Sequence, residues 1–107
     1  MIGGNPFAGE VSINIDGKRR TLKLTLGSLA ELEATMTGDS LVSLISRFED
    51  GQFNTEDVVR LLFAGLRGGG WEGTGHDLLD ANIEGGPAQA IRAAALLLNR
   101  SFAIPAT

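Results

Sequence analysis

The side chains of this sequence that could do chemistry are few and poorly grouped. His76, the sole histidine, has Asp77 and Asp80 close by, and residues four apart on a helix share a face, so His76 and Asp80 could together touch a metal. A third ligand is missing, and Asp77 reads better as a first-turn acid favoured by a helix dipole. The run Arg67-Gly68-Gly69-Gly70-Trp71 offers the bare backbone of a phosphate loop, but its glycines close a helix and no Gly-Lys-Ser/Thr follows. Glu31 and Glu33 point to different helix faces and make no acid/base pair. Ser28, Ser40, Ser43, Ser46 and Ser101 read as caps or solvent-facing positions, and none sits in a nucleophile elbow. No catalytic residue, metal ligand or cofactor site is therefore expected, and the chain is not read as an enzyme.

Two features suit contacts with another molecule. Lys18-Arg19-Arg20 is a compact basic cluster that could touch phosphate, although on an acidic protein such a cluster more often protects a strand edge. Trp71, a large aromatic beside a glycine run, is either an anchor tucked into the core or a contact for a partner protein. Arg19, Thr21, Lys23 and Trp71 are the candidate partner-binding residues.

Composition narrows the classes further. With 107 residues the chain has room for a single domain, 1–107, with 1–8 and 102–107 expected as loose ends. Thirteen acidic against nine basic side chains leave a net charge of −4, which opposes nucleic-acid binding. The absence of cysteine removes disulfides and thiolate metal sites, and fits a reducing interior. The longest apolar run, Ala93 to Leu98, is far too short to cross a bilayer, and Met1 to Pro6 do not resemble a secretory signal. A cytoplasmic location without membrane contact is expected.

The elements that must position these residues are legible in the periodicity. Val11, Ile13 and Ile15 alternate with Ser12 and Asn14, Asp16-Gly17 suits a two-residue turn, and Leu22, Leu24 and Leu26 alternate with Thr21, Lys23 and Thr25. The implied hairpin register places Ile15 opposite Lys18, Ile13 opposite Arg20, Val11 opposite Leu22 and Glu10 opposite Lys23. All apolar side chains then share one face, while Ser12, Asn14, Arg19, Thr21, Lys23 and Thr25 take the other. Both strand edges would remain unpaired.

The remainder has helical spacing. A helix capped by Ser28 carries Leu29, Leu32 and Met36 and ends at Gly38. A second runs from Asp39 or Ser40 through Leu41, Leu44, Ile45 and Phe48 to Asp50-Gly51, and a third starts at Asn54 or Thr55 with Val58, Leu61, Leu62 and Leu66 inward. A short helix over 77–83 and a final one over about 87–101 follow, with Pro87 in its first turn. The last helix is apolar over more than one stripe, which marks a central core helix or a second contact surface. The fold class is α+β: an N-terminal two-stranded antiparallel β-hairpin followed by four to five short α-helices.

The succession Gly9-Glu10-Val11, Ile15-Asp16-Gly17, Leu24-Thr25-Leu26-Gly27-Ser28-Leu29-Ala30-Glu31-Leu32-Glu33 and Leu66-Arg67-Gly68-Gly69-Gly70 resembles the small tail proteins of gene transfer agents and tailed phages. The resemblance spans roughly residues 5 to 100, and order and spacing carry it. It implies a tail assembly chaperone in the cytoplasm of a producing bacterium, absent from the mature particle, although the family has also been labelled a tail tube protein. Such a protein would bind the tape measure protein, keep it soluble and help tube subunits polymerise around it, while the open strand edges and the apolar last helix lead to the separate expectation of a homo-oligomer. The rival readings are a tube or connector subunit retained in the particle and a generic protein-binding regulatory domain.

Overall fold

The computed structural model describes residues 9–102. Two antiparallel strands, β1 (Val11–Ile15) and β2 (Lys18–Leu22), precede five helices: α1 (Leu26–Ala34), α2 (Leu41–Asp50), α3 (Thr55–Gly68), α4 (Gly75–Asp80) and α5 (Gly86–Phe102). The α+β class and the order of hairpin then helices match the sequence-based expectation. The expected loose ends 1–8 and 103–107 lie outside the described residues, while Phe102 is the last residue of α5.

The hairpin register is the one implied by the turn, with Val11 opposite Leu22, Ile13 opposite Arg20 and Ile15 opposite Lys18. Asp16 and Gly17 both take positive φ, 52° and 81°, as a primed turn between right-twisted strands requires. Val11, Ile13, Ile15 and Leu22 point into the core, where they meet Leu61, Leu62 and Leu66 of α3 and Ala93, Ala94 and Leu97 of α5. The helix α3 is the central element, touching β2, α1, α4 and α5. Its predicted stripe of Val58, Leu61, Leu62 and Leu66 is buried throughout.

Several local expectations are corrected. The second strand stops at Leu22, and Leu26, expected on its apolar face, is 87% exposed in the first turn of α1. The cap of α1 is Thr25, not Ser28: Ser28 N–H donates to Thr25 Oγ1 (3.0 Å) and Thr25 N–H donates to Ser28 Oγ (2.8 Å), a reciprocal box that starts the helix three residues early. The helix also ends at Ala34, before Gly38. The short helix is Gly75–Asp80, capped by Thr74, because Ile83 is drawn away to bridge Ile15. Ser12 is buried beside Glu84, Gly85 and Gln89, so the polar face of the hairpin is not uniformly solvated.

The strand edges are the largest correction. On the β1 side Asp16 N–H donates to Asn82 O (2.9 Å) and Glu84 N–H to Asn14 O (3.1 Å), with Asn14 Nδ2 donating to the Glu84 carboxylate. On the β2 side Lys23 N–H donates to Gly65 O (2.9 Å), and the backbone at Gly68 and Gly69 lies directly against the carbonyls of Lys23 and Thr21. A methyl group on either glycine would overlap those oxygens. The triplet that reads as a helix stop is therefore also a packing surface, which lets a helix end approach a strand edge.

A second joint ties α2 to α3. Arg47 donates from Nε and Nη2 to the Asp57 carboxylate (both 2.9 Å) and from Nη1 and Nη2 to Asp39 (3.1 and 2.8 Å). Asp57 is buried and also accepts the Asn54 N–H as part of the α3 capping box. The Arg47 hydrogen bonds hold the Asp57 and Asp39 carboxyls below the usual carboxylate range and hold the guanidinium charged. Phe48 and Phe53 stack across the linker with centroids 4.6 Å apart.

Two predictions follow from these joints. Gly68→Ala or Gly69→Ala is expected to cost about 3 kcal/mol in urea unfolding, at the upper end for overpacking, whereas Gly75→Ala, whose Cβ meets nothing, stays within about 0.5 kcal/mol. Arg47→Gln strands the buried Asp57 charge and is expected to cost about 3 kcal/mol at pH 7. Because the native carboxylate pKa is depressed, the wild-type contribution is full above about pH 4 and is lost as pH falls through the lowered native value. The stability gap between wild type and variant should therefore narrow below about pH 4.

Candidate partner-binding surfaces

Three of the four candidate contact residues come together. Arg19, Thr21 and Trp71 line one small cleft with Arg20, Gly69 and Gly70, at the place where β2 passes the glycine end of α3. Lys23 stands apart, with its amide committed to Gly65. Among the described residues Lys18, Arg19, Arg20 and Lys23 make no ion pair, whereas Arg47, Arg60 and Arg67 are each matched to a carboxylate. The Arg20 Nε is buried with no hydrogen-bond partner among those residues. The cleft can therefore offer positive side chains and one aromatic face, but not the long open strand edge that the sequence suggested.

Trp71 combines its two readings. Its backbone N–H donates to Leu66 O (2.8 Å), and its half-buried ring packs against the core while folding back over Gly73, where a Cβ would collide with the indole. One part of the ring anchors the glycine turn, and the rest remains accessible beside Arg19 and Thr21.

The residues weighed for chemistry do not converge. His76 Nε2 lies 3.4 Å from Asp80 on an exposed helix face, while Asp77 accepts the Thr74 N–H and caps α4. That backbone hydrogen bond, followed by the Thr74 hydroxyl, lowers the Asp77 pKa. Among the described residues no three His, Cys, Asp or Glu side chains stand close enough to share a metal. Glu31 faces Arg67 at 3.7 Å across the α1–α3 joint, and Ser28 and Ser40 are used in helix caps. No described helix is long and apolar enough to cross a membrane.

One apolar surface feature was not singled out by sequence. A groove of about 610 Å³ opens between α3, α4 and the start of α5, walled by Val59 and Leu62, by Leu79 and Ile83, and by Pro87 and Ile91. Leu79 is 65% exposed and Ile91 38%. A signal was present: Leu78 and Leu79 are adjacent on a helix of under two turns, so one of them must face outward, and Ile91 lies off the Ala90, Ala93, Ala94, Leu97 stripe. Sequence alone could not say that both outward residues face the same depression.

A family model described as phage tail tube protein, GTA-gp10 matches residues 8–104. The chain belongs to that family. No curated protein and no solved structure matches it. The family places the chain among the tail proteins of phages and gene transfer agents.

The two halves of the cleft should respond differently to substitution. Trp71→Ala is expected to lower stability by about 2 kcal/mol through lost packing, while Arg19→Ala, at an exposed position, leaves it within about 0.5 kcal/mol. Thermal and urea unfolding of the two variants beside wild type would check both values.

Proposed function

We propose that this tail protein is an assembly chaperone that binds helical segments of the tape measure protein and assists polymerisation of tail tube subunits around it. The open apolar groove between α3, α4 and α5 carries the reading. A tape measure chain is long and helical, and before the tube encloses it its apolar stripes face water. A groove bearing Leu79, Val59 and Ile91 can take one such stripe as an amphipathic helix laid into it. Stretches of both hairpin edges are occupied, by α3 along residues 21–23 and by residues 82–84 along residues 14–16, which favours client binding by helices over strand addition. On this reading the protein works in the cytoplasm of the producing cell and leaves before the particle is complete.

A second reading is favoured by the family description itself, which names a tail tube protein. A tube subunit would remain in the particle in many copies. Against it stands the small sheet, two strands among the described residues, where closing a ring through β-structure calls for more.

A mass-spectrometric count of the protein in purified particles and in the lysate of producing cells separates the two. Abundance in the lysate with absence from particles supports the chaperone; many copies per particle support the tube subunit. Leu79→Asp, at an exposed position, is expected to leave folding intact and to weaken capture of tape measure fragments at least about tenfold. Unchanged capture would remove the groove from the reading.

A further inference from the structure

Besides its core stripe of Ala90, Ala93, Ala94, Leu97 and Leu98, α5 carries a second apolar line. Pro87, Ile91, Ala95, Leu98 and Phe102 follow one another at spacings of four, four, three and four, which keeps them within one stripe of the helix. Pro87 and Ile91 form a wall of the α3–α4 groove, and Ala95, Leu98 and Phe102 line a second depression with Ile45, Phe48 and Glu49 of α2. The line runs about 22 Å, at 1.5 Å per residue, along one side of the helix. Ile91 and Phe102, 38% and 40% exposed, mark its two halves.

We propose that this line is the interface of a homodimer in which α5 packs antiparallel against α5 of a second copy, with the two-fold axis at Ala95. The sequence of the line is close to symmetric about that residue, so an antiparallel copy sets Ile91 against the Leu98–Asn99 turn and Pro87 near Phe102. The smallest side chain falls where the helix axes come closest, which permits tight approach.

Charge selects a second copy over an unrelated helix. Under this symmetry Arg92 of one chain lies beside the Leu98–Asn99 turn of the other, the turn that lines the α2 depression together with Glu49. Arg92 and Glu49 make no ion pair among the described residues, and both are exposed. Glu49 also sits in the last turn of α2, where the helix dipole disfavours a negative charge and a cation from outside relieves it. The two-fold axis forms this pair twice, as an isologous interface requires. Because Pro87 and Ile91 belong both to this interface and to the groove, the second copy and an apolar client compete for that end of α5.

The interface does not depend on the chaperone reading, and purified protein alone tests it. Sedimentation equilibrium of the full chain should give twice the mass of the 11.2 kDa monomer, with a dissociation constant of about 10 µM. Ala95→Glu should give a monomer up to about 200 µM, by placing two like charges at the dyad. Arg92→Glu and Glu49→Arg should each weaken dimerisation about tenfold, and the double exchange should return it to within about threefold of wild type. All three positions are exposed, and circular dichroism melts check that the variants fold. A wild-type monomer at about 200 µM, a dimer that persists in Ala95→Glu, or a double exchange no better than either single variant would each overturn the proposal.

Discussion

The contact between the end of α3 and the outer edge of β2 is made almost without side chains. Gly65 lies against Leu22 and Leu97, Gly68 against the Lys23 carbonyl and Gly69 against the Thr21 carbonyl. A helix normally stands about 10 Å from a sheet because side chains separate them, and here three glycines remove that layer. The approach lets Lys23 N–H reach Gly65 O, carries the hairpin onto the central helix and places Trp71 beside Arg19. The remaining contacts of a two-stranded sheet, marginal when isolated, are built on this one.

Closing the edges has a functional corollary. A hairpin with free amides on both sides would recruit strands from any exposed chain, an aggregation hazard. With α3 on one side and residues 82–84 on the other, the apolar surface available to partners is helical, in the α3–α4–α5 groove and along the outer line of α5. The Arg47 network braces the opposite end of α3 by tying Asp57, the partner of Asn54 in the α3 capping box, to α2. The central helix is thereby held at both ends.

The legible parts of the fold were those where chemistry is local. Asp16-Gly17 set the hairpin register because its two positive φ values leave few alternatives. The starts of α2 and α3 were legible to within one residue, Asp39 or Ser40 and Asn54 or Thr55, and the caps are Ser40 and Asn54, whose side chains satisfy amides three residues ahead. Thr25 was passed over for Ser28 because both belong to one reciprocal box, and a box written with two hydroxyl residues reads the same from either end. Of the candidate contact residues, Arg19, Thr21 and Trp71 do meet, yet their meeting depends on the glycine packing, which nothing local announces.

Periodicity, caps and turn residues thus determined the elements, their order and the hairpin register, because each depends on interactions within a few residues. The family resemblance was legible in the same way, in the order of short motifs along the chain. Tertiary structure alone decided that stretches of both strand edges are covered, that Leu79 and Ile91 share a groove, and that Ile91, Ala95 and Phe102 of the second apolar line of α5 stay exposed while its Leu98 joins the core. Each of these joins residues far apart in sequence, and which of several apolar faces is covered depends on the space left by the others.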